Sequence, residues 1–110
     1  MINEAILNQL GYSPNEALKE QMDAIVKNTN EFKKIEKHIY DLHNILKVDD
    51  SYVAMSNSFN YLKIKLQAKS PELLEEAHEK VQHFADKFKV ELKKVEGHET
   101  YYIIGFKNSN

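Results

Sequence analysis

The residues best able to carry chemistry are the five histidines, and their spacing decides what they can do. His78-Glu79-Lys80-Val81-Gln82-His83 approaches the H-E-x-x-H pattern, in which two histidines one helical turn apart hold zinc and the glutamate acts as base. Here the two imidazoles are five residues apart, which sets them about 140° from each other around a helix, so one ion does not readily take both. His38 and His43 share that spacing and that objection. Glu75 and His78 form one E-x-x-H half of a carboxylate-bridged di-metal site, but there is no second E-x-x-H and such a site draws on four helices. The paired acids Asp49-Asp50 and Glu75-Glu76 read as solvated surface. No metal site and no cofactor are expected.

Nucleophilic and phosphoryl chemistry fare no better. The chain has no Cys, no G-x-S-x-G elbow and no glycine-rich phosphate loop, its three glycines (Gly11, Gly97, Gly105) being isolated. All fifteen basic residues are Lys; without Arg or Trp there is no bidentate guanidinium contact to phosphate or guanine. These absences argue for a protein that is not an enzyme.

One pattern does suggest binding chemistry. Tyr61, Lys63 and Lys65 alternate along a strand-like run, and Lys89, Lys93, Tyr101 and Lys107 extend the same character. Aromatics interleaved with lysines on an open sheet hold single-stranded nucleic acid by stacking and backbone neutralisation. Against this, lysine is the default residue of a strand's solvent face, Glu91 sits among these residues, and the whole chain carries a formal charge of −2 with a pI near 6.2. Residues 1–50 hold six Lys against nine acids, residues 51–110 nine against eight.

These side chains are positioned by elements whose starts are legible. Each proline follows Ser and opens a helical period, the place where a missing N–H costs nothing. Ser13-Pro14-Asn15-Glu16 reads as a capping box with Ser13 as cap, and Ser70-Pro71-Glu72 repeats the signal. Ile2, Ile6 and Leu10 mark a short amphipathic helix that Gly11 can end in a left-handed conformation. Leu18, Ile25, Phe32, Ile39 and Leu46 then recur every seven residues, with Gln21, Asn28, Ile35 and Leu42 as companions. Residues 14–47 form either one helix of about 34 residues, roughly 50 Å long, or a helical hairpin broken at Lys27-Asn28-Thr29-Asn30. In the hairpin, which is favoured slightly, Thr29 or Asn30 caps the second helix.

Beyond Asp50 the period becomes two. Leu62, Ile64 and Leu66 define a strand with one buried face, residues 52–55 a weaker one, and Ser56-Asn57-Ser58 their connection. Residues 71–88 form the strongest helix, with Leu74, Ala77, Val81, Phe84 and Phe88 on one stripe. Val90 and Leu92 start another strand, Gly97-His98-Glu99 a turn, and residues 100–107 a last strand. In that strand Tyr102, Ile104 and Phe106 face one way and Tyr101 and Ile103 the other, which places it centrally with cover on both sides. Helix 71–88 is expected on one face of the sheet and the N-terminal helices, or a second subunit, on the other.

The predicted fold is thus α+β, one domain over 1–110 in the order α-α-α-β-β-α-β-β: a helical part (1–48) packed with a small antiparallel sheet carrying one amphipathic helix (51–110). In element order alone it resembles several small α+β folds that dimerise and bind other proteins, secretion chaperones among them. With no basic N-terminal region before Glu4 and no long apolar run, a cytoplasmic location is expected and no membrane association. The apolar excess points to a small protein–protein interaction module, adaptor-like or regulatory, that engages a protein partner and self-associates as a homodimer. The candidate interaction seam is Phe32, Ile35, Ile39, Leu42 and Leu46. The alternative is nucleic-acid binding on the sheet face by Tyr61, Lys63, Lys65 and Tyr101.

Overall fold

The computed structural model describes residues 2–47 and 50–107. Its element order is that predicted: α1 (Ile2–Gln9), α2 (Glu16–Asn28), α3 (Phe32–Leu46), β1 (Tyr52–Met55), β2 (Leu62–Lys65), α4 (Pro71–Phe88), β3 (Val90–Lys94) and β4 (Thr100–Phe106). The four strands form one antiparallel sheet in the order β1-β2-β4-β3, so the last strand lies in the interior. Of the Asp49-Asp50 pair, Asp49 lies outside the described residues, while Asp50 is exposed and left-handed.

Helix boundaries follow from capping, with two corrections. Ser70 Oγ accepts from Leu73 N at 3.2 Å with Pro71 in the first turn, as expected. Gly11 takes φ +89° at the end of α1, closing it through Gly11 N to Asn8 O and Tyr12 N to Leu7 O. α2, however, begins two residues later than the capping box implies. Asn15 Oδ1, not the Ser13 hydroxyl, accepts from Leu18 N at 2.8 Å, because Asn15 itself adopts the extended cap conformation. The long helix is broken into the hairpin, but neither Thr29 nor Asn30 caps α3. Thr29 Oγ1 donates back to Ile25 O at the end of α2, and Glu31 enters α3 in a left-handed conformation without a side-chain cap.

The cause of that break lies across the molecule. Asn30 forms a parallel bridge with Gly105 of β4: Asn30 N donates to Ile104 O (3.4 Å), Phe106 N to Asn30 O (2.8 Å) and Asn30 Nδ2 to Phe106 O (2.8 Å). The hinge thus acts as an extra strand residue beside β4 at the end that β2 does not reach.

One core cluster draws on every element. It joins Ile6, Leu7, Met22, Ile25, Ile35, Ile39 and Leu46 to Val53, Leu62, Ile64, Val81, Val90 and Ile103. Burial alternates strictly along β1 and β2, and their buried residues, with Tyr101 and Ile103 of β4, join this cluster. The helices therefore cover a single face of the sheet. This corrects the expectation of cover on both sides: β4 is central, but its second face is left open.

The open edge of β1 is closed by side chains. Val53 N donates to His43 Nδ1 (3.0 Å) and Met55 N to Tyr12 Oη (3.0 Å), so the two amides directed away from β2 are satisfied. Gln21 and Asn28, the polar members of the heptad pattern, donate to Ser56 O and Asn60 O and so tie α2 to the β1–β2 loop.

Candidate functional site

The open face is built by strand pairing. Ala54 lies beside Lys63, Lys63 beside Tyr102, and Tyr102 beside Lys93, giving a row across all four strands with a tyrosine flanked by two lysines. The next row is Tyr52, Lys65 and Thr100. Tyr61 precedes β2 on the same side, and its ring lies 5.9 Å from that of Tyr102. Phe59, carried by the β1–β2 loop, meets Tyr102 edge-on at 5.5 Å and is itself 59 % exposed. Phe59, Tyr102 and Tyr61 thus form an aromatic trio, two of them half-buried and one in water.

Beside the trio is a depression of about 330 Å³ between the two hairpin loops, lined by Ser56, Asn57 and Ser58 on one side, Val95 and His98 on the other, and Lys63, Lys65, Thr100 and Tyr102 beneath. Ser56 Oγ accepts from Ser58 N and Phe59 N, which fixes the loop that carries Phe59. Aromatic faces next to a depression floored by lysines can stack planar rings and neutralise phosphates or carboxylates.

The residues proposed from sequence divide. Tyr61, Lys63 and Lys65 share the open face. Tyr101 does not: it is 6 % exposed and belongs to the core, and Tyr102 takes its place on the open face. Lys89 caps the end of α4 and Lys107 follows β4, their main chains joined by a 2.6 Å hydrogen bond, so neither extends the stripe. Phe106 also leaves the face to which alternation assigned it. Glu91 pairs with Gly105 and Leu92 with Ile103, so Ile104 is a bulge, and past it Phe106 packs against the core with Lys34 Nζ 4.8 Å from its ring.

The candidate seam lies in the interior of the chain. Phe32, Ile35, Ile39, Leu42 and Leu46 are all at most 4 % exposed, because they are the stripe by which α3 packs on the sheet and on the other helices. Their side chains are packed from within the chain.

The histidines serve separate purposes. His38 stacks on Phe88, and His83 faces outward from α4. His43 is buried, and its pKa is lowered first by burial and then by nearby Lys47, which suits a neutral ring accepting from Val53 N. His78 is held between Tyr101 Oη at Nδ1 (2.7 Å) and the Glu99 carboxylate at Nε2. A carboxylate only accepts, so Nε2 is the donor to Glu99. Burial holds the Tyr101 phenol above its ordinary range, a hydrogen bond with Gln82 works against this, and the Glu99 charge adds to it. The Tyr101 hydroxyl and His78 thereby clasp β4 to α4. Sequence reading missed this triad and the Tyr12 cap because both join residues with no periodic relation. Among the described residues no three His, Cys, Asp or Glu side chains gather as a metal site would require, and no helix is long and apolar enough to cross a membrane. No known family model, curated protein or solved structure matches this chain.

Proposed function

We propose that the protein is a non-enzymatic binding module that takes single-stranded nucleic acid on the open face of its sheet. The observation that carries this reading is the Phe59–Tyr102–Tyr61 trio beside the Lys63–Tyr102–Lys93 row. Bases stack on aromatic faces without regard to sequence, and lysines at strand spacing follow a phosphate backbone. Two competing readings of the same face have less support. A protein partner is a poorer match because lysine is depleted at the centres of protein interfaces, whereas here it flanks the central tyrosine. A homodimer through this face would set Lys63, Lys65 and Lys93 of one copy against those of the other. The overall charge of −2 supplies no long-range attraction, so the interaction is short-range and of modest affinity.

The test is fluorescence anisotropy of a labelled oligo-deoxythymidine at low and moderate salt. Binding should weaken with salt, with a logarithmic slope of about −2, the value for roughly three phosphates neutralised on a single strand. Tyr102→Ala and Phe59→Ala should each weaken it by at least about fivefold, the low end of one lost stacking contact. The absence of binding at low salt would end the nucleic-acid reading. Tyr102-dependent binding of a poly-glutamate peptide in its place would transfer the face to an acidic protein.

A further inference from the structure

We infer that a second site, independent of the sheet face, lies in the groove between α3 and α4 and accepts a small anionic amphiphile: an apolar body ending in a carboxylate or sulfonate. The groove encloses about 330 Å³, within the roughly 300–1,000 Å³ of sites for small organic molecules. Leu42, Ile45, Phe84 and Phe88 form its apolar surface. Ile45 is 50 % exposed there, a large aliphatic side chain left in water at a concavity rather than on a convex loop. The His38 ring lies flat on Phe88, centroids 3.7 Å apart and planes 11° from parallel, and the two make a planar wall at one end.

Charge around the groove is unequal. Lys80, His83 and Lys87 follow one another at helical spacing along α4, His38 joins them from α3, and Asp41 is the one acid among the lining residues. Lys87 on the α4 rim, one turn from His83 and on the helix opposite Asp41, favours an anionic head near His83 and Lys87 and away from Asp41. The apolar body would then cover Ile45 and the exposed edge of Phe88, gaining the burial that the fold itself does not provide. Charge sets this occupant apart from a purely apolar one, for which the rim would be indifferent, and from a cationic one, which it would repel.

Titration of the folded protein with 1-anilinonaphthalene-8-sulfonate, and displacement of that probe by decanoate, tests the proposal. Saturable, blue-shifted emission is expected, with amide NMR shifts confined to α3 and α4. Ile45→Glu should abolish it, and Lys87→Glu should weaken it about fivefold, the scale of one exposed ion pair. Both substitutions fall on exposed positions, and circular dichroism shows whether the fold survives them. The proposal is overturned if the probe stays dark, if Ile45→Glu binds like the parent, if decyltrimethylammonium competes as well as decanoate, or if the shifts map to the open sheet face.

Discussion

Gly105 is the position where a single methyl group should do most damage. A Cβ built there would lie 2.5 Å from Asn30 N, 2.7 Å from Asn30 Cβ and 2.8 Å from Asn30 O, and the residue's φ of +149° is one that side chains rarely adopt. The contacted atoms are mostly main chain at a hinge fixed on both sides by helices, so they cannot swing away. Gly105→Ala should therefore cost about 1–2 kcal/mol in backbone strain. It should also lose about two of the three hydrogen bonds that join Asn30 to β4, at about 1 kcal/mol each. The reduced freedom of the unfolded chain returns less than about 1 kcal/mol. The net expectation is about 3 kcal/mol, a large share of the roughly 5–15 kcal/mol that holds a domain together, and a melting temperature lower by about 15 °C. Gly97→Ala is the control. Its φ is +81°, yet nothing lies within 4 Å of the added carbon, so it should show only the conformational cost of about 1 kcal/mol. Urea denaturation followed by circular dichroism measures both. If the two variants lie within about 1 kcal/mol of each other, Asn30 does not pin the hinge and the account of the helix break is wrong.

Two further outcomes test other parts of the account. His43 has a folded-state pKa below its ordinary 6.5, so the unfolded chain binds its proton first. Stability should be full above about pH 6.5 and fall as the pH drops through and below it. His43→Gln should flatten that part of the urea-midpoint profile, and an unchanged slope would refute the buried neutral ring. Asn15→Ala should lose about 1 kcal/mol of stability while Ser13→Ala loses almost none; the reverse order in thermal melts would restore the capping box at Ser13.

What the sequence disclosed was whatever depends on neighbours along the chain. The Ser70–Pro71 cap, the α4 stripe of Ala77, Val81 and Phe84, and the alternation of Leu62 and Ile64 all follow from local periods of 3.6 and 2. The heptad at Phe32, Ile39 and Leu46 was seen as well, but an apolar stripe is the same whether it meets another chain or its own sheet. Choosing between Tyr101 and Tyr102 required knowing which face the helices occupy, and no period records that. Phe106 was misplaced because the bulge at Ile104 answers to Asn30, 76 positions away from Phe106. The site was half legible for the same reason: Lys63 and Lys65 lie on a regular strand, whereas Phe59 reaches the face from a loop.

The interior position of β4 also governs when this molecule can fold. The helical hairpin and the β1–β2 pair are local and can form early, but β2 and β3 meet only through β4, and the hinge at Asn30 closes on it. During synthesis on the ribosome the sheet stays unfinished until residues 100–106 are available, with Leu62, Ile64 and Val90 awaiting their neighbour. Non-local pairing such as that of β2 with β4 slows folding and leaves bare strand edges in the nascent chain. Once β4 is in place, folding becomes cooperative across the whole chain, and a fragment that stops before residue 100 should be a substrate for chaperones rather than a smaller version of the protein.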